Sequence, residues 1–454
     1  MTYDLAIIGA GPAGANAAEY AAENGLSVLL FEEDKVGGTC LNRGCVPSKT
    51  LLYSSKMLEE IKNSKEIAIN TSDTTLDMPA LIKRKDKFLK EFAEGIEEGF
   101  RERKIKLVKQ KAVINGKDND GNYLLKTDTY TYKSKKLLIA TGSETVIPPI
   151  KGIENAEYWT SREALNNKEI PKSLTVIGGG VIGMEFVSFF VGLGVKITVV
   201  EMAPKILGET DEEFSEILKE LLEEKGVVFH LSTEITEIKG KTVFAKNKKG
   251  KFQIKNDKIL LSVGRKPVLK GFGLETLRLK KLQGNIKVNK HMQTSDTNVY
   301  ICGDLTGKSP LVHTAVREGQ VAINHMLGRK DKMDYNVMSS VVYSIPEIAS
   351  VGKTEKQLKE KGVKYKVAKV PLAFASRYMI ENIDSTGFCK IISDEKNRIL
   401  GGHIIGNKVS EIITYLSIAI QQKMTTHELA TIAFPHPTIG EIIHYTIHPA
   451  KIEK

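Results

Sequence analysis

Residues 5–14 read Leu5-Ala6-Ile7-Ile8-Gly9-Ala10-Gly11-Pro12-Ala13-Gly14, an apolar run passing straight into GxGxxG and then into an Ala-rich stretch through Ala22. The order is strand, tight turn, helix. Gly9 permits the turn, Gly11 lets backbone approach a pyrophosphate, and Gly14 lets the helix close on the strand, with the helix N-terminus facing the phosphates. A lone GxGxxG also describes an ordinary glycine turn. Here, however, the next apolar run, Ser27 to Phe31, ends in Glu32, an acid placed to take ribose hydroxyls.

Further along the same unit recurs. Leu174 to Ile177 leads into Gly178-Gly179-Gly180-Val181-Ile182-Gly183, a helix follows, and the strand Lys196 to Val200 ends in Glu201. Two cradles predict two dinucleotides. An acid at the second strand end repels a 2′-phosphate and accepts from a free 2′-hydroxyl, which favours NAD over NADP; Lys205 nearby weighs against that. Between the cradles, Asp77 to Lys104 has the three- and four-residue apolar spacing of a helix, and Ile105 to Ile114 and Tyr123 to Tyr132 are strand-like. Leu137-Leu138-Ile139 then meets Ala140-Thr141-Gly142, which is either a plain turn or a contact to the first nucleotide. Pro148 and Pro149 start a linker into the second unit.

At 454 residues the chain is too long for one core, and a prior of roughly 150 residues per domain gives about three. The net charge of +11 comes largely from scattered lysines such as Lys83, Lys85, Lys87 and Lys90, and aromatics are only 7%, so no nucleic-acid partner is expected. Apolar runs stop well short of the roughly 18 residues of a membrane span. The start, Met1-Thr2-Tyr3-Asp4, has no basic n-region or apolar h-region, and a cytoplasmic protein with no membrane partner is expected.

Of four cysteines, only Cys40 and Cys45 are close, in Cys40-Leu41-Asn42-Arg43-Gly44-Cys45-Val46-Pro47-Ser48-Lys49. A local pair in a reducing compartment points to redox chemistry, and the absence of a second ligand pair at zinc spacing leaves no metal site expected. Residues five apart face different sides of a regular helix, so a bond between these thiols needs a distorted turn, which Gly44 can supply. Near the C-terminus, His436 precedes Glu441 by five residues, a base with an acid to orient it, with His444 and His448 as local competitors.

Gly37-Gly38-Thr39-Cys40 through Lys49 resembles the active-site signature of the pyridine nucleotide-disulfide oxidoreductases, and its Cys-Leu-Asn start and Pro-Ser-Lys end are similar to those of the dihydrolipoamide dehydrogenase branch. Both cradles, Ala140-Thr141-Gly142, Gly264-Arg265-Lys266-Pro267, Cys302-Gly303-Asp304 and His436-Pro437-Thr438 follow in family order, so the likeness runs nearly end to end. The resemblance implies an α/β fold with two Rossmann-like dinucleotide-binding domains and a C-terminal α+β dimerisation domain. Residues 1–147 and 265–337 would form the FAD domain, 148–264 the NAD domain and 338–454 the interface. FAD would use Gly9, Gly11, Gly14, Glu32, Gly38, Thr39, Lys49, Ala112, Thr141, Gly142, Asp304, Val312 and Ala315. NAD would use Gly178, Gly180, Gly183, Glu201, Ile235 and Gly264. Lys49 would sit by the flavin paired with Glu185, which alone reads as a helix-surface acid. Cys40 and Cys45 would exchange with a dithiol that His436, oriented by Glu441, deprotonates.

Glutathione and trypanothione reductases typically carry basic residues and a Tyr where this chain has Glu201 and Val181, and mercuric reductases typically end in a cysteine pair that this chain lacks. Phe434 stands where many lipoamide enzymes have a second His, and Arg43 replaces a common apolar residue. The resemblance therefore implies a homodimer acting on a lipoyl-bearing protein of a 2-oxoacid dehydrogenase, acetoin or glycine cleavage system. The alternatives are an NAD(P)H-dependent reductase of another small disulfide and a redox-inert flavoprotein scaffold.

Overall fold

The computed structural model describes residues 1–382 and 386–447. His448 and the stretch 449–454 lie outside them. By backbone contacts the chain divides into two compact units, Met1–Thr50, Ile82–Val146 and Gly264–Tyr335 forming one, and Leu51–Leu81, Ile147–Val263 and Asn336–Lys454 the other. The segment 51–81, expected from the sequence to go with the first cradle, belongs to the second unit. Ser55 Oγ donates to the Phe189 carbonyl at 3.0 Å there, and a Cβ on Gly192 would lie 2.4 Å from Ser55 Oγ.

In the first unit the strands run in the order Lys106–Val108, Val28–Phe31, Thr2–Ile8 and Thr131–Ile139, all parallel. Tyr123–Lys126 and Val113–Lys117 extend this sheet antiparallel, and Val299–Ile301 lies parallel against residues 137–139. The register aligns Ile8 with Phe31 and Ile139, and Ile139 with Ile301. Gly9, Glu32, Ala140 and Cys302 therefore leave the sheet together at its carboxyl edge, where open α/β sheets bind ligands. The helix Pro12–Glu23 opens on a proline, which loses no hydrogen bond at that position, and buries Ala13, Ala17, Ala18 and Ala21. Small side chains let it lie close to the strands.

Two stretches differ from their expected form. Ile105 to Ile114 is not one strand but two, Lys106–Val108 and Val113–Lys117, which are not neighbours in the sheet. Tyr123 to Tyr132 is a hairpin, turned where the Thr127 amide donates to the Tyr130 carbonyl at 2.8 Å and the Tyr130 amide to Thr127 Oγ1 at 3.1 Å. Local β-propensity marks both stretches as extended but does not show where the chain reverses.

The second unit carries a four-stranded parallel sheet, Val228–His230, Lys196–Val200, Ser173–Ile177 and Lys258–Leu261, with Ile177 aligned to both Val200 and Leu261. Gly178, Glu201 and Ser262 leave it together. The unit also holds the antiparallel three-stranded sheet 234–255 and a five-stranded antiparallel sheet within 340–406, packed by the helix Val409–Gln421. The fold class is thus the α/β one expected. No helix among the described residues is long and apolar enough to cross a membrane.

Candidate active site

The two cradles agree in their hydrogen bonds as well as their spacing. Gly9 has φ +102° and a Cβ there would lie 2.4 Å from the Ala140 carbonyl oxygen; Gly178 has φ +103° and the same atom would lie 2.6 Å from that of Ser262. Neither position admits a side chain. In the first cradle the Ala10 amide donates to Glu32 Oε2 at 2.8 Å, and in the second the Gly179 amide donates to Glu201 Oε2 at 2.6 Å. The other carboxylate oxygen of each accepts an amide two residues on, Asp34 at 2.9 Å and Ala203 at 2.7 Å. Each acid is a clasp on its own glycine turn. Every carboxylate oxygen has two lone pairs, so ribose hydroxyls can share it. Burial pushes the Glu32 carboxyl above its ordinary value.

Gly180 would place a Cβ in open space, with nothing within 4 Å. Protein packing does not explain that glycine. Close approach of a pyrophosphate to the helix N-terminus does, so the residues fit a bound dinucleotide. Lys205, the cation beside this turn, gives its Nζ to the Thr210 carbonyl at 2.7 Å.

The cysteines follow the first cradle within the same unit. Gly38–Arg43 is helical, Gly44 leaves the helix, and Cys45–Lys62 is a new helix. The break suits glycine, since in this conformation a Cβ on Gly44 would lie 3.0 Å from the Thr39 carbonyl oxygen. It brings together two thiols that a continuous helix would separate. Both are half-buried and in the thiol form, and the hydrogen bond between the Cys40 and Cys45 side chains, with burial, raises the Cys40 thiol far above its ordinary value. The Lys49 charge acts the other way. Arg43 forms an ion pair with Asp34, anchoring the cysteine helix to the loop after Glu32.

Around Asp304 the first unit makes side-chain contacts that the sequence alone did not show. Ser143 Oγ donates to Asp304 Oδ2 at 2.5 Å, and Arg265 Nε donates to Ser143 Oγ at 2.8 Å, while Thr141 Oγ1 donates to the Val268 carbonyl at 3.0 Å. Burial lowers the Arg265 guanidinium, with Asp304 opposing the shift. Arg265 stands within a family motif, but nothing local marks Ser143 as its partner. Ala112 and Ala315 are buried in this unit's core.

The second unit holds the remaining side chains. Glu185 is not a helix-surface acid: it is buried, and its Oε1 accepts the Tyr343 amide at 3.2 Å. Glu441 Oε1 accepts His436 Nδ1 at 2.9 Å and Oε2 accepts the Thr438 amide at 2.9 Å. Tyr445 adds a longer contact of 3.4 Å. Burial would raise the Glu441 carboxyl, but Thr438 and His436 outweigh it and hold it below its ordinary range. With Nδ1 donating to a carboxylate, the lone pair sits on Nε2, and the imidazole is 68% exposed. Phe434 meets the Tyr415 ring edge-on at 6.1 Å.

Comparison with known proteins extends over nearly the whole chain. A 36% identical relative is the mitochondrial dihydrolipoyl dehydrogenase of Pisum sativum, aligned over 97% of this chain and 90% of its own. Another, at 35%, is dihydrolipoyl dehydrogenase 3 of Pseudomonas putida, covered 97% on both sides. Among solved structures, LpdA from Mycobacterium tuberculosis superposes with a TM-score of 0.90 at 25% identity, covering 98% of this chain and 99% of that one. The HOCl-induced flavoprotein disulfide reductase RclA from Escherichia coli gives 0.86 at 26%, covering 99% and 100%. Residues 3–319 match the family described as pyridine nucleotide-disulphide oxidoreductase and residues 338–447 its dimerisation domain, and the chain belongs to that family.

Proposed function

We propose that this chain oxidises protein-bound dihydrolipoamide to lipoamide, passing the electrons through Cys40 and Cys45 and an FAD on the first cradle to NAD⁺ on the second. The observation that carries the reading is the glycine-broken helix holding two thiols in hydrogen-bond contact, in the same unit as a dinucleotide cradle. The names of the full-length relatives support the dithiol substrate. Glu201 clasping its turn, with Lys205 engaged elsewhere, supports NAD over NADP. The domain assignment that goes with it is FAD on 1–147 and 265–337, apart from the segment 51–81 that groups with the second unit, NAD on 148–264, and a dimer interface on 338–454.

In this reading His436 Nε2 takes a proton from the substrate dithiol, and Glu441 fixes the tautomer that leaves Nε2 free to do so. The substrate thiolate attacks Cys40 of the oxidised pair, the bond to Cys45 breaks, and the second substrate thiol closes the cyclic disulfide as Cys40 leaves. Two electrons and two protons pass from substrate to protein. The flavin supplies the relay of that electron pair to NAD⁺. Lys49, whose charge favours a Cys40 thiolate, and Asp304, braced by Ser143 and Arg265, hold the surroundings of the pair and of the flavin. In a homodimer, His436 of one copy serves the cysteines of the other. The partner is a lipoyl domain of a 2-oxoacid dehydrogenase, acetoin or glycine cleavage system, and the location is the cytoplasm.

The test is an anaerobic absorbance titration with dihydrolipoamide followed by NAD⁺, run beside Cys45→Ser. Flavin reduction by dihydrolipoamide and stoichiometric NADH on adding NAD⁺, both absent in the variant, are expected. Reduction by NADPH alone, with dihydrolipoamide inert, would overturn both the substrate and the coenzyme.

A further inference from the structure

Glu318, on the helix Val312–Met326, is fully buried. A carboxylate out of water is costly unless strong donors meet it. Two do: the Gly303 amide donates to Oε2 at 2.6 Å and the Tyr335 hydroxyl to Oε1 at 2.6 Å. Even so, burial pushes its carboxyl up to about 7.

Gly303 begins the one-turn helix Gly303–Thr306 with φ +73°, and a Cβ on it would lie 3.2 Å from Ala13 Cβ, within the first GxGxxG. The turn is therefore pressed on the cradle. Its next residue is Asp304, which Ser143 and Arg265 brace from the other side. All these residues lie in the first unit.

We propose that Glu318 is a positioning residue for the flavin: it grips the Gly303 amide from behind and so fixes where Asp304 presents its carboxylate, while Tyr335 holds Glu318. This rests on FAD occupying the first cradle. A neutral amide side chain could accept the Gly303 amide as well; a carboxylate adds charge, and an acceptor for both donors at once. The ionisable groups facing Glu318 are Cys302, Asp304 and Lys308 along the strand end and turn, and Tyr335 beyond the helix. The helix Pro12–Glu23, packed on Gly319, meets it with Ala13 and Ala17. Above a pH of about 7 the anion accepts from both donors; below it a proton removes the charge and takes a lone pair of one oxygen, weakening the grip on its donor. Loss of a buried anion near the flavin favours the reduced, more negative cofactor and raises its potential.

Wild type, Glu318→Gln and Tyr335→Phe are stripped of flavin and titrated with FAD. The midpoint potential of the reloaded protein is then read well below and well above that pH. Glu318→Gln is expected to bind FAD about tenfold more weakly above it, with a more positive potential there, and to converge on wild type below it. Tyr335→Phe, which removes a donor that stabilises the anion, moves the pH of the potential change upward, and carries the test if the glutamine variant does not fold. Affinity and pH dependence of the potential identical to wild type overturn the proposal, as does a loss equal on both sides of that pH. If wild-type apoprotein takes up no FAD, the first-cradle reading fails instead.

Discussion

Single side chains in this protein act through the atoms they hold. Glu441 gives one oxygen to His436 and the other to the Thr438 amide. Glu441→Gln would turn an amide donor toward the ring or remove the fixed tautomer, and the dithiol-driven rate is expected to fall about 100-fold with little change in KM, read by steady-state kinetics. Glu318 makes a prediction of opposite sign to most carboxylates. Its folded value, about 7, lies above the unfolded value of 4.5, so the folded state binds the proton more tightly. Stability from this group is full below the unfolded value and is lost as pH rises toward 7, by about 3 kcal/mol. Denaturant titrations across that range should show Glu318→Gln lacking that part of the decline. The pairings of Cys40 with Cys45 and of His436 with Glu441 could be read because each is local, although singling out His436 among the histidines took the family resemblance. Those of Glu318, Ser143 and Tyr335 could not, because a Glu in an amphipathic helix, a Ser after a turn and a Tyr opening a short 3-10 helix carry no trace of the groups that tertiary packing brings to them.

Elements here are set by what cannot fit. In the second cradle a Cβ on Gly183 would lie 2.3 Å from the Gly178 carbonyl oxygen, so the helix can approach its strand only without that atom. Gly183→Ala is expected to destabilise the protein by about 1–3 kcal/mol and to abolish nicotinamide binding, measured by thermal melting and by NADH fluorescence titration. This strand–turn–helix geometry could be read from sequence, as could the break at Gly44, because a glycine at a fixed offset marks a place where backbone must turn or come close. The strand Phe388–Ser393 shows where reading stops. Every residue in it is buried, Lys390 included, and the Lys390 ammonium meets Asp211, Glu213 and Glu355 at 3.0, 3.1 and 3.0 Å. A lysine inside an apolar run was a signal that its partners were elsewhere in the chain, but the run did not say where. Lys390→Met would leave the Asp211 and Glu355 carboxylates without this cation, Glu213 keeping its ion pair with Lys369, at a cost of about 3–5 kcal/mol in chemical denaturation.

For the molecule as a whole, the segment matching the dimerisation domain exposes Phe374, Met379, Ile380, Tyr415 and Ile418. Large apolar side chains gathered in one segment fit a surface covered in the assembly. Ile380→Glu combined with Ile418→Glu is expected to give monomers in sedimentation that retain flavin and lose dihydrolipoamide turnover; full turnover as a monomer would remove the shared site. The two cradles also bear on how such a protein can change. Because Glu201 spends a lone pair closing its own glycine turn, the proposed preference for NAD would make discrimination against a phosphorylated coenzyme and rigidity of the turn one trait carried by one side chain. A lineage replacing that acid to accept the other coenzyme would loosen the turn in the same step. The switch therefore needs at least a second substitution to restore the clasp, and the single mutants between are expected to bind both coenzymes poorly.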